Sequence, residues 1–165
     1  MKLATYKDGS RDGQRVVVSR DLERAHFATA SASRLQSALH DWNFVAPQLQ
    51  DLYETVNGGK ARHAFAFDAR QCMAPLPRAY LWAEATAYLH HLALQCRAAG
   101  IELPARAQHG PRLHRGAGDE LLGPCDDVVL SCADWGIDFE AGLAVVTGDV
   151  AMASPPAQAL EGVRL

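Results

Sequence analysis

Short apolar runs separated by turn residues dominate the first third of the chain. Runs with β-strand composition lie at Lys2–Tyr6, Arg15–Ser19 and Ala25–Thr29. Between the first two, the segment KDGSRDGQ contains two Asp-Gly pairs, which are typical of tight hairpin turns. The pattern predicts a small amino-terminal sheet that begins with a β-hairpin.

Two helical patterns follow these strands. Ser33 is a candidate N-cap for the first helix, and Pro47 suits the first turn of the second. Asn57-Gly58-Gly59 is expected to end the second helix. The apolar residues at helical spacing are Leu35, Leu39 and Trp42 in the first helix, and Leu49, Leu52 and Val56 in the second.

The pattern after the second helix divides the chain. Proline-punctuated residues 71–78 predict a linker between a small amino-terminal domain, residues 1–70, and a second domain, residues 79–165. In the second domain we expect a helix that ends at Gly100 and a long polar loop. The remaining predicted elements are strands at Asp127–Leu130 and Phe139–Thr147 and a final helix that begins at Ser154-Pro155-Pro156.

Composition excludes several classes of protein. The chain has 165 residues, is 48% hydrophobic and 21% charged, and so predicts a packed core rather than disorder. Its net charge is -3 without a basic face, which argues against nucleic-acid binding. No apolar run approaches the ~20 residues that span a bilayer. The amino terminus lacks the apolar region of a signal peptide, so we expect a cytoplasmic protein.

Cysteine and histidine spacing gives no metal motif. The four cysteines form no C-x-x-C pair, and the seven histidines form no H-E-x-x-H motif. We expect the cysteines to be reduced and mostly buried.

The acid in the strand GIDFEAGLAVV is the most informative feature of the sequence. Alternate residues of a strand point to the same face, so Glu140 and position 142 project side by side. Two glutamates at those positions would converge on a hard cation such as Mg²⁺ or Ca²⁺. Gly142 stands at the second position, so the pair is broken.

The chain resembles the fumarylacetoacetate hydrolase family, and more closely its bacterial members with a small amino-terminal domain, from Met1 to Leu165. The resemblance implies an α+β, mainly β fold. A small SH3-like or β-barrel domain would precede the first part of a β-roll catalytic domain, usually in a homodimer. The segments that carry the resemblance are MKLATYKDGSRDGQRVVVSRDL, ALHDWNFVAPQLQDLY, RHAFAFDARQCMAPLPRAY, LLGPCDDVVL and WGIDFEAGLAVVTGDV.

The resemblance also implies an activity and a site. Family members cleave or rearrange C–C bonds in β-diketo and 2-oxo acids, as in aromatic-compound and tyrosine catabolism, with a divalent cation (Mg²⁺, Mn²⁺ or Ca²⁺). Glu140 matches the first glutamate of the family's E-x-E metal pair, and Glu84 stands where the family has a metal-binding aspartate. His91 matches the catalytic histidine, which acts as base toward water. His114 falls where relatives place a substrate-contacting tyrosine.

Three departures from the family pattern bear on activity. Gly142 removes one carboxylate, and Glu84 is one methylene longer than the usual aspartate. The family's remaining metal aspartate and its active-site lysine fall beyond the position that matches Leu165, so we expect a truncated chain. It would retain two of four carboxylate ligands, bind metal weakly or not at all, and be inactive by itself.

Simpler interpretations remain open for each site residue. Glu140 would otherwise be a solvent-facing strand residue, Glu84 an exposed acid in the first turn of a helix, and His91 a structural histidine. We assign Asp126-Asp127 to a turn that enters a strand rather than to a metal site. The alternatives to an enzyme are a non-catalytic binding or assembly module and one half of a two-chain enzyme.

Overall fold

The structure of the protein is a computed structural model that describes residues 1–30, 32–118 and 120–165. Its architecture is mixed α+β, as predicted, with a curled antiparallel sheet that forms a half-barrel. The chain divides into two compact units. One unit contains residues 1–77 and 121–165, and the other contains residues 78–120.

The first unit is built on a five-stranded antiparallel sheet with the spatial order β4-β3-β2-β1-β5. The predicted hairpin is confirmed, since β1 and β2 pair from Lys2 opposite Val18 to Tyr6 opposite Gln14. The strands are β1 (Lys2–Tyr6), β2 (Gln14–Val18), β3 (Arg24–Phe27), β4 (Phe65–Ala66) and β5 (Cys72–Met73).

Two helices cover one face of this sheet: α1 (Leu35–His40) and α2 (Trp42–Asn57). The predicted starts of both helices are wrong. Arg34, not Ser33, occupies the N-cap position of α1, and Pro47 lies inside α2 rather than at its start. Burial explains the second difference, because Val45 packs on the same face of α2 as Leu49 and so extends the helix ahead of the proline. The predicted end of α2 at Asn57-Gly58 is confirmed.

Three consecutive valines in β2 explain how the sheet is buried on both faces. Alternate strand residues point to opposite faces. Val17 faces the helices, whereas Val16 and Val18 face the other side of the sheet. The helix-side cluster is Val17, Ala28, Ala38, Val45, Leu49 and Tyr53, and the opposite cluster is Tyr6, Val16, Val18, Ala25 and Cys72.

A buried arginine fastens the segment that follows β3. The Arg15 side chain is fully buried, and its Nη2 atom donates hydrogen bonds to the carbonyl oxygens of Ala28 (3.0 Å) and Ala32 (2.5 Å). Burial lowers the pKa of Arg15 to about 10, so the guanidinium stays charged at neutral pH. The sequence pattern gave no indication of this role, because β2 reads as an apolar strand.

Residues 121–165 of this unit contain little regular structure. The predicted turn at Asp126 is confirmed: its carboxylate accepts a hydrogen bond from the Gly123 amide (2.8 Å) and pairs with Lys7 (2.7 Å). The final helix is also confirmed, as α4 (Pro156–Glu161). The strands predicted at Asp127–Leu130 and Phe139–Thr147 are wrong, because those segments have no neighbouring strand to pair with beyond one bridge at Thr147.

The second unit, residues 78–120, combines a hairpin with a helix. The strands β6 (Trp82–Thr86) and β7 (Arg112–Gly116) pair antiparallel, and helix α3 spans Leu89–Ala98. The helix is confirmed, and it ends where Gly100 adopts a φ of +67°. The predicted long loop is wrong where it contains β7, and Glu84 lies on β6 rather than in the first turn of a helix.

Several sequence predictions lie beyond what this fold tests. The small β-rich amino-terminal domain fits the half-barrel, while the SH3-like topology, the β-roll and the domain boundaries stay predictions. Of the four thiols, Cys72 and Cys96 are buried and Cys125 is exposed. Within the described ranges, the helices are too short or too polar to cross a membrane. The cytoplasmic location stays a prediction.

Candidate functional site

The β6–β7 hairpin brings two of the predicted site residues together. Glu84 and His114 are directly opposite each other in the register, and Trp82 is opposite Gly116. Opposite residues in an antiparallel pair share a face, as do residues two apart on one strand. Trp82, Glu84 and His114 therefore form one cluster on a single face of the hairpin.

Both oxygens of the Glu84 carboxylate have hydrogen-bonding partners in this cluster. Oε2 lies 2.8 Å from Nε2 of His114, and Oε1 accepts a hydrogen bond of 3.1 Å from the indole Nε1 of Trp82. The Glu84 and His114 side chains are about half exposed, at 53% and 55%. The cluster is thus held by side-chain hydrogen bonds at the surface of the unit.

The absence of a side chain at Gly116 leaves room for the Trp82 ring. A Cβ atom at position 116 would lie 2.5 Å from Cδ1 of the indole, closer than real side chains approach. The ring therefore lies against the bare backbone of Gly116, from which its N–H reaches Glu84. The pattern W-x-E on β6 and H-x-G on β7 carries this arrangement, and our sequence analysis missed both Trp82 and Gly116.

The hydrogen bonds fix the charge state of Glu84. The hydrogen bond from Trp82, and to a smaller extent the hydrogen bond from His114, lowers the pKa of the Glu84 carboxyl. Glu84 is therefore ionised at neutral pH, and an ionised carboxylate only accepts hydrogen bonds. It follows that Nε2 of His114 carries the proton in this contact.

The other predicted site residues are divided between the two units. His91 is half-buried on α3, in the same unit as Glu84 and His114. Glu140 and Gly142 are exposed residues of the other unit, within residues 121–165. The convergence of Glu84, His91 and Glu140 on one site therefore stays a prediction, as do the catalytic role of His91 and the metal roles of the two glutamates.

The donors around Glu84 do not fit a bound divalent cation. Hard cations such as Mg²⁺ and Ca²⁺ take six or more oxygen ligands, several of them charged. Among residues 1–30, 32–118 and 120–165, no group of three histidine, cysteine, aspartate or glutamate side chains is placed to hold a metal ion. Binding of Mg²⁺, Mn²⁺ or Ca²⁺ stays a prediction, and we assign no chemical step to a metal.

Comparison with known proteins identifies the amino-terminal part of the chain. A family model described as "Fumarylacetoacetase N-terminal domain 2" matches residues 1–78, the segment that contains the five-stranded sheet and both of its helices. No curated protein matches the chain. Residues 1–78 thus match a fumarylacetoacetase N-terminal domain, and this match supports a fumarylacetoacetate hydrolase family member with such a domain.

Proposed function

We propose that this protein is a family hydrolase of a C–C bond in a β-diketo or 2-oxo acid, and that the chain by itself does not turn over. The match of residues 1–78 to the fumarylacetoacetase domain is the observation that carries the reaction class. The proposed substrate is a small oxo acid of aromatic-compound or tyrosine catabolism. Within this proposal, His91 is the base and His114 contacts the substrate.

The proposed lack of turnover follows from missing negative charge. Gly142 stands where the resemblance implies a metal-binding glutamate, and a glycine contributes no ligand. Glu84 already uses both carboxylate oxygens as acceptors for Trp82 and His114. Water can fill empty positions around a cation, but it supplies no charge to offset the cost of stripping the ion's own hydration shell.

The test is an assay of acylpyruvate hydrolysis by the purified chain with Mg²⁺ or Mn²⁺ added. The reaction is monitored as the loss of substrate absorbance. We expect no rate above that of the metal and buffer. Robust turnover by the wild-type chain would overturn the proposed inactivity. A second assay adds an intact catalytic domain from a relative to the chain. If this mixture also hydrolyses no oxo acid, the proposed reaction class is wrong.

A matched pair of glycine substitutions tests the role assigned to position 142. Gly142→Glu restores the missing carboxylate, and a Cβ atom there meets no other atom within 4 Å. Gly110→Glu adds the same charge at a second open position and serves as the control. We expect Gly142→Glu to bind Mn²⁺ at least several-fold more tightly than either the wild type or Gly110→Glu, as measured by calorimetry. Equal affinities in both variants would contradict the assignment.

A second candidate function is a non-catalytic assembly module. Residues 128–145 favour it, because several large apolar side chains in this segment are exposed. Phe139 and Leu143 are 90% and 91% exposed, in a stretch that forms no strand ladder. Extended apolar segments of this kind mark interaction sites or association-prone surfaces. The proposed partner is a second copy of the chain, and the oligomeric state in solution is its test.

A further inference from the structure

The cluster around Glu84 supports a role for this residue that differs from the one implied by the family. We propose that Glu84 is a positioning residue for His114, and that it holds the imidazole in the Nε2–H tautomer instead of serving as a metal ligand. The hydrogen bond between Glu84 and His114 is present in the chain without substrate, so this role is independent of turnover.

The first observation in support of this positioning role is the geometry of the hairpin. Glu84 and His114 are cross-strand partners, so the register of β6 against β7 brings their side chains to one place. The contact of 2.8 Å has the length of a charge-assisted hydrogen bond. Because the ionised carboxylate has no proton to donate, the bond requires a hydrogen on Nε2 of His114, which leaves Nδ1 as the acceptor in the neutral ring.

The second observation in support is the hydrogen bond from Trp82 to Glu84. The indole N–H binds the other oxygen, Oε1, so the carboxylate is held at both ends and cannot rotate without losing a hydrogen bond. The indole is itself located by the absence of a side chain at Gly116. A tryptophan that fixes a carboxylate, which in turn fixes an imidazole, is the arrangement by which an outer residue orients an inner one.

The same geometry argues against coordination by Glu84. To bind a cation through Oε1 or Oε2, the carboxylate would have to exchange a hydrogen bond for the ion in either case. No further histidine, cysteine or acid in the described ranges completes a group of three ligands there. The position at which the family has a metal-binding aspartate therefore serves a different purpose in this hairpin.

Nuclear magnetic resonance of the ¹⁵N-labelled chain tests the positioning role. At a pH at which the His114 ring is neutral, we expect the wild type to show a protonated Nε2 and an unprotonated Nδ1. Glu84→Gln keeps the shape but replaces one acceptor oxygen with a donor. It should shift the ring toward a mixture of tautomers and move the Trp82 indole N–H signal. Glu102→Gln, at an exposed acid of the same unit, should change neither signal.

The signals of α3 report whether a variant remains folded, because Leu92 and Cys96 form the buried side of that helix. If Glu84→Gln leaves both the His114 ring and the Trp82 indole unchanged while α3 is intact, the positioning role is wrong. If α3 is disturbed, Trp82→Phe provides the second variant, since it removes only the donor to Oε1. An unchanged His114 ring in Trp82→Phe, with α3 intact, would likewise show that the positioning role is wrong.

Paramagnetic Mn²⁺ separates positioning from metal binding. We expect millimolar Mn²⁺ to broaden the wild-type His114 and Trp82 signals no more than other exposed signals. His114→Phe releases Oε2 and should increase the broadening at Trp82. Selective broadening of both signals in the wild type at micromolar Mn²⁺ would overturn the inference. Turnover assays report separately on the proposed hydrolase, so failure of one proposal does not obscure the other.

Discussion

Gly13 closes the hairpin between β1 and β2 in a conformation that a side chain would disturb. Its φ is +59°, and an added Cβ atom would lie 2.6 Å from the Tyr6 carbonyl oxygen and 2.7 Å from Cγ2 of Thr5. Gly9 in the same turn has a φ of +83° but open space around it. The two positions therefore separate backbone strain from steric overlap.

We expect Gly13→Ala to lower the free energy of unfolding by about 2–4 kcal/mol, from left-handed backbone strain and overpacking together. Gly9→Ala, which introduces only the strain, should cost about 1–2 kcal/mol. Urea unfolding followed by circular dichroism measures both. Equal losses in the two variants would show that the crowded site relaxes and that the overlap with Tyr6 and Thr5 costs nothing.

At the scale of residues, the sequence predicts Glu84 and His114 as site residues but does not predict that their side chains contact each other. The family resemblance picked them separately, one as a metal ligand and one as a substrate contact. Their pairing depends on the register of β6 against β7, and a slip by one residue would send the two side chains to opposite faces. Since β7 itself was predicted as loop, the register was beyond the reach of the sequence.

At the scale of elements, the packing of α2 against the five-stranded sheet stabilises the amino-terminal unit. Leu49 is 1% exposed and packs in the helix-side cluster with Val17, Val45 and Tyr53. We expect Leu49→Ala to lower the free energy of unfolding by about 2–5 kcal/mol, since it leaves a cavity in a packed core. Denaturant unfolding of the purified chain provides the measurement.

Phe44 on the same helix supplies the control for Leu49. Its side chain is 64% exposed, so Phe44→Ala removes more atoms than Leu49→Ala but little buried surface. Its cost should stay near or below about 0.5 kcal/mol, as for surface positions in general. A loss at Phe44 that matches the loss at Leu49 would mean that the sheet does not anchor α2 by the face described above.

The contrast between β1 and residues 127–147 shows which elements a sequence can predict. Strand β1 was predicted at its observed bounds, because its partner β2 follows directly across two Asp-Gly turns. Phe139–Thr147 has equally good strand composition but pairs only through a bridge at Thr147. A strand requires a neighbouring backbone as well as its own pattern, and composition reports only the pattern.

For the molecule as a whole, the family match and the exposed apolar segment support different conclusions. The match covers residues 1–78 and supports a hydrolase family origin. Residues 128–145 expose Phe139, Leu143 and Trp135, which are among the most exposed large apolar side chains of the described chain. Large exposed apolar patches mark interaction sites. We therefore expect the chain to cover this segment by self-association.

Light scattering at increasing concentration should show a mean mass that rises from one chain toward two. The double variant Phe139→Asp/Leu143→Asp should remain a single chain over the same range, because charges at these positions oppose burial. Phe44→Asp, which introduces one charge at an exposed apolar position on α2, should associate as the wild type does. A wild type that stays a single chain at all concentrations would remove the support for an assembly module. Association that the double variant does not weaken would place the interface elsewhere, on a surface that residues 128–145 do not form.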